Sequence, residues 1–230
     1  AHGTRPLSAA GAGLPGPEDI LAAYEREAES WARARSRDLW ERPLLEATVA
    51  GRPPGLSVLD LGCGCGEPIA AWYVARGDRV TGVDGAAAMI ARCRALLPDV
   101  ETVCADMRGL ALGRRFDVIL AFDSFFHLAP AAQRAMFPVF AAHAAAGARL
   151  LFTSGARAGE SVGRVGDSPV YHASLAPGEY RRLLRDSGFF PCWFRAEDAA
   201  LQGHSVWLAQ AAGDAAPARA RAGTGGTAHR

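Results

Sequence analysis

The sequence contains no lysine: all 25 of its basic residues are arginine. That absence excludes any mechanism running through a lysine Schiff base. With the abundance of alanine and glycine it points to a GC-rich coding genome. A surplus of one sign of charge is also missing, since 24 acidic residues leave a formal net charge of +1. No global field gathers nucleic acid or an anionic membrane. No apolar run reaches the roughly 18 residues that a membrane helix needs, and the first residues show no basic region followed by an apolar stretch. A cytoplasmic protein is expected on these grounds, with neither a nucleic-acid nor a membrane partner. Cysteine is sparse and odd in number: Cys63, Cys65, Cys93, Cys104 and Cys192. They are scattered over a chain too long to need a disulfide framework, so reduced thiols are expected. Cys63 and Cys65 find no second Cys or His pair at ligand spacing, so no metal is expected.

What is present suits one domain. Half of the 230 residues are hydrophobic and 21% are charged, enough apolar surface for a substantial core and too little charge for a disordered chain. Residues 1–17 and 211–230 are rich in Gly, Ala and Pro without periodicity and read as disordered, which leaves 18–210 as the folded unit. Over 18–50 the residues Ile20, Tyr24, Trp31, Leu39, Trp40, Leu44 and Leu45 recur at helical spacing, until the prolines and glycines of 51–55 stop them. Short β-rich runs then alternate with helical stretches. Strands are expected at 57–61, 79–84, 100–105, 116–122 and 148–153, and helices at 67–77, 86–97 and 130–146, each able to carry a right-handed crossover. A polar loop over 155–174, a helix near 177–187 and two strands near 189–195 and 204–210 complete the chain. The expected fold is α/β: a doubly wound, mostly parallel seven-stranded sheet with an antiparallel edge hairpin and a helical N-terminal extension.

The stretch 58–68 reads as a buried strand, a glycine turn and a helix start. Glycines at 62, 64 and 66 let backbone come close to a ligand at the carboxyl end of the first parallel strand. A dinucleotide fingerprint needs G-x-G-x-x-G, and position 67 is Glu67. Asp60 and Glu67 flank the turn and would repel a pyrophosphate, so a cationic or zwitterionic ligand fits better. Asp84, 22 residues past Gly62, stands at the tip of the adjacent strand, where a carboxylate accepts the hydroxyls of a ribose. Asp106 follows the next strand and can accept an exocyclic amine.

Four segments in order, D-x-G-x-G-x-G (60–66), V-T-G-V-D (80–84), A-D-M (105–107) and F-D-V-I-L (116–120), resemble the class I S-adenosylmethionine-dependent methyltransferases of small-molecule type. The resemblance covers roughly 20–210. It implies S-adenosyl-L-methionine as cofactor, with its amino-acid part against Gly62, Cys63 and Gly64, its ribose on Asp84, and its adenine between Met89 and Met107 with Asp106 on the amine. Asp60, Gly85 and Phe122 join that cofactor set. The helical extension becomes a lid that adds Tyr24, Trp31 and Arg35, with Trp40 on the same stripe.

Phe122-Asp123-Ser124-Phe125-Phe126-His127-Leu128 is similar to the S-F-x-H-L segment of many small-molecule methyltransferases, which makes His127 and Asp123 the catalytic candidates. The 155–174 insertion supplies Arg157, Tyr171 and His172, with Glu160, as acceptor-side candidates. The partner expected is a small-molecule methyl acceptor. Two other readings compete: an NAD(P)-dependent oxidoreductase, disfavoured by Glu67, and a module that binds S-adenosylmethionine without catalysis. A base-modifying enzyme is disfavoured by the balanced charge and by the absence of an N-P-P-Y-like tetrad after the fourth strand.

Overall fold

A computed structural model describes residues 5–6 and 14–213. In chain order the elements are β1 (Arg5–Pro6), α1 (Ile20–Ala34), α2 (Arg42–Val49), β2 (Ser57–Leu61), α3 (Ile69–Arg76), β3 (Arg79–Asp84), α4 (Ala87–Leu96), β4 (Glu101–Cys104) and β5 (Phe116–Ala121). They continue with α5 (Pro130–His143), β6 (Ala144–Ser154), β7 (Gly159–Val165), β8 (Ser168–Ser174), α6 (Pro177–Asp186), β9 (Phe189–Asp198) and β10 (His204–Ala211). Seven strands form one sheet in the order β4-β3-β2-β5-β6-β10-β9. The first five run parallel, and β10 enters antiparallel between β6 and β9. This is the expected sheet with its antiparallel edge pair. The disorder expected of 1–17 and 211–230 falls largely outside the described residues; within those spans, Arg5–Pro6 pair with β7 and Ala211 ends β10.

The central strands are apolar on both faces, as a sheet covered by helices on each side demands. On one face Leu59, Ile119, Phe152 and Trp207 pack with Phe137 and Phe140 of α5 and Tyr180 of α6; on the other, Val58, Val118 and Leu208 pack with Leu44, Leu45 and Tyr73. Gly77, at φ 92°, ends α3 in the left-handed conformation that costs glycine no steric strain.

The structure corrects the reading of two segments. The 155–174 segment is a β-hairpin, β7 and β8, joined by a two-residue turn at Gly166 and Asp167 with Gly166 at φ 53°. Val162, Val165, Val170 and Tyr171 supply the β-formers, masked in the sequence by the glycines and serines between them. The 18–50 helix is broken: Arg35 turns to extended backbone (φ −62°, ψ 120°), and an irregular segment over 35–41 precedes α2.

Helix α1 bridges two surfaces. Ile20 and Ala23 bury against Val165, Val170, Tyr171 and Ala173 of the hairpin, while Ala28 buries against Cys65, Ala86 and Met89. The spacing 20, 23, 28 is that of one helical face. Ser168 donates to Glu27 at 2.8 Å and fastens the hairpin to the helix.

Candidate active site

β2 ends at Leu61, and the chain turns through 62–66 before α3. Gly62, Gly64 and Gly66 hold φ of 78°, 53° and 83°. Gly62 is constrained twice, because a Cβ there would lie 2.2 Å from Cβ of Ser124. The Ser124 hydroxyl donates to the Leu61 carbonyl at 2.6 Å, so the exit of β5 is clasped to the exit of β2. The chain leaves β2 for β3 on one side and β5 for β6 on the other, which makes this junction the switch point where α/β sheets hold ligands.

The acids at the strand tips differ in state. Asp84 accepts from the Gly64 amide at 3.0 Å and from the Ala86 amide at 2.8 Å. Burial pushes its carboxyl above the usual range, although those amides pull the other way; each oxygen keeps a second lone pair for a ligand. Asp60 is 4% exposed, and burial followed by the charge of Asp84 pushes it up to about 7. Asp106 is bound by Arg108, whose guanidinium donates to both oxygens and whose amide donates to Oδ1. That guanidinium holds the carboxyl below its usual range.

Around the turn, Met89 is buried with its sulfur 3.6 Å from that of Cys65, and Met107 Cε lies 3.5 Å from where a Gly62 Cβ would stand. The Cys63 side chain points into the core beneath, so what that residue offers a ligand is its backbone. Helix α1 lies across this floor. The Trp31 ring is 3.4 Å from the Cβ position of Gly64, Leu21 fills the space above Gly85, and the Ala88 amide donates to Glu25 at 2.9 Å. Arg35 is drawn to Glu41 at 2.5 Å.

Beyond β5 stands His127, 5% exposed. Its Nδ1 is 2.8 Å from the Tyr171 carbonyl, which only accepts, so Nδ1 carries the proton. Nε2 is then a lone pair and accepts from the Tyr24 hydroxyl at 2.8 Å. Burial lowers His127 to about 4. Burial, then the charges of Asp123 and Asp84, push the Tyr24 phenol well up. The pair is neutral, hydrogen-bonded and close to both acids. His172 stands beside it, its ring 4.8 Å from that of His127 and 4.7 Å from that of Phe126.

Other candidates sit differently from what the sequence led us to expect. The Tyr171 side chain packs against α1, and its carbonyl accepts from Nδ1 of His127. Arg157 is 82% exposed and faces Glu197 at 3.6 Å, away from the cluster; a long charged side chain on a surface loop prefers water to the cleft. Glu160 is likewise exposed on β7.

Asp123, at φ 49°, pairs with a residue that no sequence motif singles out. Its Oδ2 is 3.2 Å from Nε2 of His204, whose Nδ1 donates to the Leu201 carbonyl at 2.8 Å. Both ring nitrogens therefore face acceptors, and only the imidazolium satisfies both. Burial opposes either charge, yet the pairing prevails: it holds Asp123 below the usual carboxylate range and raises His204 above its own. Glu41, fully buried, also escaped the sequence reading. His204 carries no local signal because its carboxylate partner lies on another element, and Glu41 carries none because its burial is set by the fold around the 35–41 segment.

Comparison with known proteins finds methyltransferases. Residues 58–147 match a family model described as a methyltransferase domain. A 68-residue stretch is 43% identical to trans-aconitate 2-methyltransferase of Escherichia coli, covering 28% of this chain and 26% of that protein. The chain thus spans about a quarter of the curated relatives it matches. Among solved structures, 1,6-didemethyltoxoflavin-N1-methyltransferase of Burkholderia thailandensis, with bound 1,6-didemethyltoxoflavin and S-adenosylhomocysteine, superposes with a TM-score of 0.67 at 21% identity, over 91% of this chain and 95% of that one. An amino pentose methyltransferase of Micromonospora echinaspora, bound to S-adenosylmethionine, gives 0.63 at 22% identity, over 81% and 96%. Magnesium protoporphyrin IX methyltransferase of Synechocystis gives 0.64 at 17%, over 88% and 100%. At these identities the structures share a fold with this chain. Among the described residues no helix is long and apolar enough to cross a membrane, and no group of three or more His, Cys, Asp or Glu could hold a metal.

Proposed function

We propose that this chain is a class I S-adenosylmethionine-dependent methyltransferase and that it methylates a small molecule held between the glycine turn and the His127 wall. The clasp of Gly62 against Ser124, with Asp84 beside it, is the observation that carries this reading. S-adenosylmethionine, when bound, supplies a methyl group on a sulfonium for in-line displacement. The residues fit such a group. The turn admits close backbone approach, Asp84 keeps lone pairs for two ribose hydroxyls, and the acids Asp60 and Asp84 favour a cation where a pyrophosphate would be repelled.

The protein's remaining work is positioning. Tyr24, Trp31 and Leu21 of α1 cover the floor and keep water out, and holding two reactants in line supplies ~7 to 11 kcal/mol of a barrier of this kind. Tyr24 presents its phenol oxygen, and His127 Nε2 stands ready to take the phenol proton as Tyr24 takes one from the acceptor. A base lowered to about 4 is weak against the resting acceptor. It suffices once the acceptor atom bonds to methyl, because that atom's proton is then strongly acidic. Asp106 and Met107 take the adenine end, and 18–210 is the catalytic unit.

The test is Asp84→Ala, read by titration calorimetry with S-adenosylmethionine. Loss of hydrogen bonds to a charged acceptor, worth ~1.5 to 3 kcal/mol, should weaken binding at least about tenfold. Unchanged affinity in a folded variant would place the ribose elsewhere.

A further inference from the structure

Among the described residues two buried side-chain oxygens have no hydrogen-bond partner: Oε2 of Glu41 and Oδ1 of Asp123. An unpaired buried acceptor is costly, and more so when charged. Both belong to one cluster. Glu41 Oε1 receives Arg35 at 2.5 Å, Asp123 Oδ2 receives His204 at 3.2 Å, and the charges of Arg35 and Glu41 are felt at Asp123 and His204 respectively. Trp40 and Phe122 complete the wall, with ring centroids 4.7 and 6.1 Å from that of His204. The cluster lies at the exits of β5 and β6 and the entry of β10, where the Asp123 amide donates to Thr153 Oγ1 at 2.8 Å. This is the opposite side of the switch point from Asp84, so it adjoins the end of the site that the ribose does not occupy.

We propose that Glu41, Asp123 and His204 form the recognition subsite for the methyl acceptor, and that it takes an uncharged NH2 group, as on a primary carboxamide or an amino-substituted ring, and rejects a carboxylate. The charges decide the class of ligand. Glu41 and Asp123 are balanced by Arg35 and His204, so a carboxylate would add a third negative charge and more acceptors to oxygens that need donors. An ammonium would add an unbalanced positive charge close to a sulfonium. A neutral NH2 group brings two donors to two oxygens and no charge. Arg35, Trp40 and Glu41 all sit on the irregular segment behind α1, so the subsite opens when that cover moves.

The inference rests on the methyltransferase reading and is tested apart from it. The full chain is saturated with S-adenosylhomocysteine and titrated with benzamide or its isosteric anion benzoate, while NMR follows the ring signals of His204 and Trp40. Benzamide should shift both signals and bind at least tenfold more tightly than benzoate. Glu41→Gln and Asp123→Asn, each checked by thermal unfolding, should each weaken benzamide at least tenfold; if one does not fold, the other and the parent comparison decide. Absence of benzamide binding, or equal binding of benzoate, overturns the proposal. So does a loss of S-adenosylhomocysteine affinity as large as the loss of benzamide affinity, because the oxygens would then serve the cofactor's amino-acid end. A parent chain that binds no S-adenosylhomocysteine would instead defeat the methyltransferase reading.

Discussion

His127 and His204 each place one ring nitrogen 2.8 Å from a backbone carbonyl, that of Tyr171 and that of Leu201, and they differ in what meets the other nitrogen. For His127 it is a phenol that donates; for His204 it is a carboxylate that accepts. Burial works against the imidazolium in both places. Only the carboxylate outweighs it, so two histidines on one edge of one sheet carry opposite charge states. The partner of the second nitrogen, more than depth, sets what each ring can do: a lone pair beside the reacting groups in one case, a fixed cation that aims Asp123 in the other.

The severest way to break this arrangement is Gly62→Val. A branched side chain where Cβ already meets Ser124 at 2.2 Å separates the exits of β2 and β5 and carries both histidines away from the turn. Cofactor binding should disappear in calorimetry, while circular dichroism still reports a folded chain. Retained binding would show that the clasp is dispensable.

His127→Phe acts on one histidine alone. Removing a proton acceptor should lower turnover by ~10² or more with cofactor affinity nearly constant. A melting temperature that falls while turnover holds would reduce His127 to a structural histidine.

The smallest effect is the sharpest comparison. His127 has its folded value lowered from 6.5 to about 4, so its contribution to stability is present above 6.5 and is lost as pH falls through that window, at about 1.4 kcal/mol per unit. His204 has its folded value raised, so its contribution is complete below 6.5 and is lost as pH rises through the folded value. Asp60, raised to about 7, slopes the opposite way to His127 over the acid range, so the test is the stability difference between parent and variant in denaturant unfolding. That difference should grow as pH rises from about 4 to 6.5 for His127→Phe and shrink as pH rises above 6.5 for His204→Asn; one variant changing in both ranges would mean that the histidines are coupled.

These two residues also mark where sequence reading stops. His127 was legible because it falls in a segment with a familiar pattern just past a strand. His204 was not, because its partner lies 81 residues away, in the turn after β5, which only the antiparallel insertion of β10 brings near. The parallel strands and the turn could be read because glycines at left-handed backbone positions and acids at strand tips are local requirements. The β7–β8 hairpin reads as a loop in the sequence, since its alternation is diluted by glycine and serine and its burial comes from α1, far away in the chain. Arg157 shows the converse: its segment is legible in the sequence, while the exposure of its side chain is set by the fold.

Asp60 beneath the turn has a consequence of its own. Near neutral pH a carboxyl pushed up to about 7 is close to half protonated, and a positive cofactor above it favours the anion. Binding of a sulfonium cofactor should therefore release a proton, which calorimetry in buffers of different ionisation enthalpy would read. An uncharged thioether product would not favour that anion, so Asp60 would hold a spent cofactor less firmly than a charged one.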